Sequence, residues 1–327
     1  MKLRLLSRED VRRALPMAKA IAAVRSAFAQ LSTGQADVPV RVTLNVPRHQ
    51  GVTLCMPGYL SKADQMAVKI VSVFNDNPTR GLPLIHALVV VLDAETGAPI
   101  AVMDGTTLTA LRTGAASGVA TDLLARPDAE TVAIIGAGVQ GRTQLEAVCA
   151  VRPIRAVWVY DLSPERAAVY ADEMHRMLSI PVKTATTPSE AVRQADVICT
   201  ATTSTTPVCD DEDIRPGTHI NAVGAYTPEM QEIPVETVLR AKVVVDQREA
   251  SLAEAGDLLI PIQQGRMTAE HIYAELGEIA AGVRVGRAST DEITFFKSVG
   301  VAVQDVAAAN AVLETAQAEG LGVEATL

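Results

Sequence analysis

The sequence predicts an α/β protein whose later half is a doubly wound parallel sheet, and three observations carry that prediction. Between residues 131 and 246, short β-branched runs alternate with helical patterns, as when parallel strands are joined by crossover helices. Before that, from Val38 to Met103, five β-rich runs succeed one another with Gly or Pro between them, which suits a curved, largely antiparallel sheet. Apolar residues make up 48% and charged residues 20% of the 327, with Ala and Val dominant, a balance that suits helices packed closely on strands. The length argues for two domains, or one large one.

Taken in order, Leu3–Leu6 reads as a short strand, and Ser7 caps a helix with Glu9 and Asp10 in its first turn, where carboxylates favour the helix dipole. Pro16 opens a second helix in which Ile21, Val24, Phe28 and Leu31 recur at helical spacing, and Gly34 ends it. The antiparallel runs are Val38–Val46, Val52–Met56, Met66–Phe74, Ile85–Leu92 and Ile100–Met103. Thr106 or Thr107 then caps an Ala- and Gly-rich helix whose small residues allow a close neighbour. After Arg126-Pro127-Asp128, strands are expected at 131–135, 156–160, 181–185, 196–202, 219–224 and 241–246. Helices begin after the first of these, at Pro164 and at Ser189; TFFKSVG (294–300) precedes a last, Ala-rich helix that stops near Gly320.

Composition excludes several function classes. A net charge of −9 gives no global basic field for a nucleic-acid backbone, and 3% aromatic residues leave few stacking platforms. Cys55, Cys149, Cys199 and Cys209 contain no CxxC pair, and His49, His86, His175, His219 and His271 lack ligand spacing, so neither a disulfide framework nor a metal site is expected. The opening MKLRLLSREDVRRAL is too charged for a signal peptide, and no run approaches the roughly 18 apolar residues of a membrane span. A cytoplasmic protein is expected.

The chemistry begins at Gly136-Ala137-Gly138-Val139-Gln140-Gly141. This GxGxxG follows an apolar strand directly, opens a helix, and has an acid, Asp161, at the end of the next strand. Gly136 permits the tight turn, Gly138 lets backbone approach a pyrophosphate, and Gly141 lets helix and strand pack, while the helix-start amides face the phosphates. These six residues and Asp161 are therefore candidate dinucleotide-binding residues of a Rossmann unit. A carboxylate at 161 accepts from both adenosine ribose hydroxyls and repels a 2′-phosphate, which favours NAD(H). NADP(H) is not excluded, because Arg166 lies close in sequence, and Asp161 also suits a helix N-cap.

The chain as a whole resembles the ornithine cyclodeaminase/mu-crystallin family. The resemblance rests on PVR (39–41), MPGY (56–59), VKIVSVFNDNP (68–78), AVMDG (101–105), LTALRTGAASGVAT (108–121) and GAGVQGR (136–142). It continues through HINAVGAYTPEMQEI (219–233), AGDLLIPI (255–262), IYAELGEIAAG (272–282) and FFKSVGVAVQDVAAA (295–309). It implies a Rossmann domain, 122–300, inserted into an α+β substrate and dimerisation domain, 1–121 plus 301–327, and hence a homodimer. Family members act at a carbon–nitrogen bond beside a carboxylate. By resemblance Arg41 and Arg112 fall at carboxylate-binding positions and Lys69 at the active-site lysine, with Lys69 and Arg112 the catalytic pair. A strand lysine alone reads as a solvated residue; the resemblance reverses that. Val38 and Met56 are expected to floor the pocket. Thr113, Thr200, Ala201, Thr202, Val223, Gly224 and Lys297 are implied on the nucleotide side, although each also suits a core or turn role.

One departure sharpens the function. Family cyclodeaminases and alanine dehydrogenases carry an aspartate shortly after the NAVG-like strand, where this chain has Tyr226. A phenol, with an ordinary pKa near 10, is a poor carboxylate base at neutral pH. The mu-crystallin-like members also lack that aspartate and reduce preformed cyclic ketimines. The expectation is therefore NAD(P)H-dependent reduction of Δ1-pyrroline-2-carboxylate or Δ1-piperideine-2-carboxylate to L-proline or L-pipecolate, with Lys69 either orienting the substrate or relaying a proton. Ornithine cyclodeaminase, an amino-acid dehydrogenase and a binding protein of mu-crystallin type are the alternatives.

Overall fold

In the computed structural model, which describes residues 2–326, the chain divides into two compact units: everything up to Arg112 together with everything from Val301, and 113–300. The expected boundary after residue 121 lies nine positions too late. It falls inside one unbroken helix, α3 (Gly105–Leu124), which no change of composition marks.

The first unit begins with β1 (Lys2–Leu6), α1 (Arg8–Ala14) and α2 (Met17–Ser32). Ser7 and Asp10 form a capping box at α1, as the acidic first turn suggests, and Pro16 occupies the N-cap of α2. Its sheet contains β2 (Ala36–Asp37), β3 (Val42–Val46), β4 (Gly51–Leu60), β5 (Gln65–Phe74), β6 (Ile85–Leu92) and β7 (Pro99–Asp104). These pair antiparallel, while β1 joins β7 in parallel. The expected strand 38–46 is shortened to β3: residues 38–41, with Pro39 among them, are irregular, and Arg41 lies in the connection before β3. Strand β4 runs past its expected end despite Pro57. On its outer side it pairs β3 only through Cys55 and β2 only from Tyr59, so the missing N–H falls in a gap of the ladder. The helix α3 is capped by neither Thr106 nor Thr107; the Asp104 carboxylate accepts the Thr107 N–H at 2.7 Å.

Because strand side chains alternate, register sorts the sheet into two faces. Met56, Lys69, Val89, Met103 and Leu6 form one row across β4, β5, β6, β7 and β1 and are all buried. The helix α11 (Ala302–Glu319) belongs to this unit and packs on β4 and β5; Ala302, Val303, Val306 and Ala309 are buried. After it, β16 (Val323–Thr326), unforeseen in the sequence, pairs β1.

The second unit is a parallel sheet in the order β10-β9-β8-β11-β12-β15-β13-β14. The strands are β8 (Thr131–Ile135), β9 (Ala156–Tyr160), β10 (Val182–Thr184), β11 (Val197–Thr200), β12 (His219–Ala222), β13 (Lys242–Val245), β14 (Ile272–Glu275) and β15 (Thr294–Lys297). The helices are α4 (Val139–Val151), α5 (Pro164–Leu178), α6 (Pro188–Val192), α7 (Val235–Arg240), α8 (Arg248–Glu254), α9 (Gly256–Gln263) and α10 (Leu276–Ala280). Strand order reverses between β8 and β11, which opens a crevice at their carboxyl ends. The edge strand β14 was not expected: four residues leading into a helix give too little periodicity. Among the described residues, no helix is long and apolar enough to cross a membrane.

Candidate active site

Two constellations emerge, one in each unit. In the first, Lys69 points inward from β5, where a lysine is costly unless paired. Its Nζ donates to Asp305 Oδ2 at 2.6 Å, and Arg112 Nε, from α3, donates to Asp305 Oδ1 at 3.1 Å. Both side chains of the Lys69–Asp305 pair are 2% exposed. Arg112 Nη1 also donates to Gln304 Oε1, whose amide Nε2 is buried without a partner. Burial lowers the Lys69 pKa from 10.5 to about 8; Asp305 opposes this, and the charges of Arg112 and Arg41 add to it. Arg41, half-buried before β3, therefore acts electrostatically on Lys69. Met56 is the cross-strand neighbour of Lys69, and Val38 is half-buried. Lys69 and Arg112 share one carboxylate here and Arg41 acts on the same lysine, an arrangement that can hold an added anion.

Asp305 was missed in the sequence. The available signal was a lone carboxylate among Ala and Val in the stretch 301–309, where a charge on a buried helix needs a partner.

In the second unit, a cleft of about 520 Å³ lies over the carboxyl ends of β8, β9 and β11, lined in part by Gly136, Gly138, Tyr160, Asp161, Ala201 and Thr202. Gly136 has φ +106°, and a Cβ there would meet the Ala201 carbonyl at 2.6 Å, so glycine is required. Nothing lies within 4 Å of a Cβ built on Gly138, the N-cap of α4, and no side chain caps that helix start. Open amides beside a cradle of this kind suit a pyrophosphate. Val139 is exposed, Gln140 half-buried, and Gly141 packs against the Gly136 carbonyl.

Asp161 Oδ2 accepts the Ala137 N–H at 2.9 Å and Oδ1 the Ser163 N–H at 3.0 Å. It is not the N-cap of α5, because Ser163 is. Thr113 is buried with its carbonyl receiving Gln144 Nε2 at 3.3 Å. Thr200 is buried, and its hydroxyl lacks a partner in the structure. Val223 and Gly224 follow β12, outside the lining of this cleft.

Lys297 differs from expectation. It is fully buried, and its Nζ donates to Asp257 Oδ2 at 2.8 Å instead of facing the cleft. A buried ammonium needs a carboxylate, and Asp257 supplies it. Asp257, Glu232 and Asp246 are further buried carboxylates of this unit that the sequence reading did not single out. Burial pushes the thiols of Cys149, Cys199 and Cys209 up to about 12, so they stay protonated near neutral pH. Among the described residues, no group of three or more His, Cys, Asp or Glu is placed to hold a metal ion.

Residues 1–320 match the ornithine cyclodeaminase/mu-crystallin family. The chain is 40% identical over 318 residues to a Δ1-pyrroline-2-carboxylate reductase of Bacillus cereus, covering 97% of this chain and 98% of that protein. The chain belongs to the ornithine cyclodeaminase/mu-crystallin family. Among family structures, that of Thermococcus litoralis Δ1-pyrroline-2-carboxylate reductase in complex with NADH and L-proline superposes with a TM-score of 0.94 at 46% identity, covering 98% of this chain and 99% of that one. An archaeal alanine dehydrogenase dimer with bound NAD also superposes with a TM-score of 0.94, at 37% identity and full coverage of both chains. The family resemblance and the α/β fold class read from the sequence are thus borne out.

Proposed function

We propose that the chain is an NAD(P)H-dependent oxidoreductase that reduces a cyclic ketimine carboxylate, with Δ1-pyrroline-2-carboxylate to L-proline the leading reaction. The observation that carries this reading is the buried Lys69–Asp305–Arg112 cluster in a chain 46% identical to a reductase holding NADH and L-proline.

Reduction of C=N adds a hydride to carbon and a proton to nitrogen. The nicotinamide, when bound, supplies the hydride. Arg112, its Nε fixed by Asp305, presents a guanidinium to the substrate carboxylate, and Arg41 adds a second cation. Lys69 holds a proton at Nζ close to neutral pH, where it serves either to orient the substrate or to pass that proton toward the imine nitrogen. A protonated ketimine is already electrophilic, so orientation supplies much of the remaining rate. Tyr226 is 43% exposed and brings no carboxylate to the turn after β12, which disfavours ammonia-releasing cyclisation.

NAD(H) is proposed over NADP(H) because the Asp161 carboxylate lines the cleft, with Arg166 Nη2 3.7 Å away as the group available to a 2′-phosphate. A homodimer through the outer face of the first sheet is part of the proposal. Pro57, Val68, Val90, Val102, Leu5 and Val323 form an apolar row across it, with Val42 and Leu44 64% and 63% exposed nearby. A cytoplasmic location completes it.

The test is a panel of both cyclic imines, pyruvate with ammonia, and L-ornithine, each with NADH and NADPH. Imine-dependent oxidation of NADH supports the proposal. Rapid ammonia release from L-ornithine without imine reduction overturns it, and tight NADH binding with no turnover favours a binding protein.

A further inference from the structure

Glu232 lies after β12 in the loop leading to α7, fully buried, and it takes donors from two different loops. Its Oε1 accepts the Thr202 N–H at 2.7 Å and the Thr202 hydroxyl at 2.8 Å, from the loop after β11. Its Oε2 accepts the Gly224 and Ala225 N–H groups at 2.8 and 3.0 Å, from the turn after β12. The two loops are in contact: a Cβ on Gly224 would stand 2.2 Å from the Thr202 carbonyl and 2.5 Å from Glu232 Oε1. Glu232 is itself held in place. Asp257 Oδ1 accepts the backbone N–H of Glu232 at 2.7 Å and of Ile233 at 2.9 Å, while Asp257 Oδ2 takes the Lys297 ammonium.

We infer that Glu232 is a positioning residue, a carboxylate clasp that fixes the β11 and β12 loops against each other and so sets where the nucleotide is held. This rests on the proposed function, because Thr202 lines the cleft assigned to the nucleotide. The clasp needs an acceptor on both oxygens. A carboxylate provides this, whereas an amide turns one end into a donor facing donors. Burial raises the Glu232 pKa, as does Asp257, and the Lys297 ammonium opposes them. Lys297 therefore acts through the clasp by favouring its ionised form against burial, which gives its buried position a role without contact to the nucleotide.

The test is Glu232→Gln. In the protein without nucleotide, amide hydrogen exchange at Thr202, Gly224 and Ala225 is expected to accelerate by about tenfold or more, the loss of a charged acceptor. NADH affinity, measured by fluorescence titration, is expected to fall by a similar factor of about ten. With NADH deuterated at C4, the isotope effect on kcat/KM is expected to rise, since a displaced donor slows hydride transfer. A purely structural role lowers the active fraction and leaves the NADH KM and the isotope effect unchanged. Unchanged exchange at both loops, or unchanged NADH affinity, overturns the inference. Should Glu232→Gln not fold, Glu232→Asp keeps the charge but shortens the reach, and is expected to free one loop while the other stays protected; protection of both overturns the clasp. Wild-type protein that binds no NADH refutes the proposed function, while the exchange measurement still decides whether the clasp exists.

Discussion

Replacing Asp305 by Asn preserves shape but removes the carboxylate that Lys69 and Arg112 share. Lys69 is already lowered to about 8, with burial the largest cause and Asp305 the charge holding it up. Loss of an opposite charge at such a distance moves a pKa by about 1 to 3 units, which takes Lys69 to roughly 5–7. If reduction requires protonated Lys69, kcat/KM for the imine declines above about pH 8 in the wild type, and in Asp305→Asn that decline moves down into the range of roughly pH 5–7. The assay is the pH profile of NADH oxidation with Δ1-pyrroline-2-carboxylate for both proteins. Titration of the substrate itself produces a limb common to both, so only the difference reports on Lys69. Stability carries the same sign. A lysine whose folded pKa lies below its unfolded value opposes folding when protonated, fully so below about pH 8, and this burden fades as pH rises toward 10.5. Breaking the buried pair costs about 3–5 kcal/mol while Lys69 stays charged, so Asp305→Asn is expected to lose most stability below about pH 5 and progressively less as pH rises through the lowered folded pKa of Lys69. A folded Asp305→Asn protein with its alkaline limb still near pH 8 refutes the reasoning.

Three further outcomes follow from the geometry. Arg112→Lys replaces a forked donor by a point charge, and steady-state kinetics are expected to show the imine KM raised by about tenfold or more, with NADH KM little changed. Asp161→Ser is expected to shift the NADPH-to-NADH ratio of kcat/KM toward NADPH by about tenfold, the worth of one charge-assisted hydrogen bond; an unchanged ratio removes Asp161 as the discriminator. Val42→Glu with Leu44→Glu places charges on the exposed apolar face, and sedimentation velocity is expected to show monomer where the wild type shows dimer.

Much of the fold was legible because it rests on local signals. The Ser7 N-cap, the Pro16 helix start and the strand–glycine–helix passage at 131–141 each depend on residues within a few positions of one another. The domain boundary inside α3 was not legible, because a helix crossing between units keeps its periodicity throughout. The same division holds for the site. Lys69 and Arg112 were singled out by resemblance, but Asp305 is 193 residues from Arg112 and its part is set by α11 lying on β5. Glu232 and Asp257 gather donors from the loops after β11 and β12 and from Lys297 on β15, a convergence that no spacing announces. Lys297 runs the other way: the resemblance implied it on the nucleotide side with a core role equally open, and its ammonium lies buried against Asp257.

The central claim is reduction of a preformed cyclic imine. Its most direct test is the stoichiometry of L-proline formed per NADH consumed when purified protein is given Δ1-pyrroline-2-carboxylate, with proline resolved by chiral chromatography. The account predicts equal amounts of L-proline and NAD+ and no release of ammonia. NADH that stays unconsumed while L-ornithine is converted to L-proline and ammonia contradicts it.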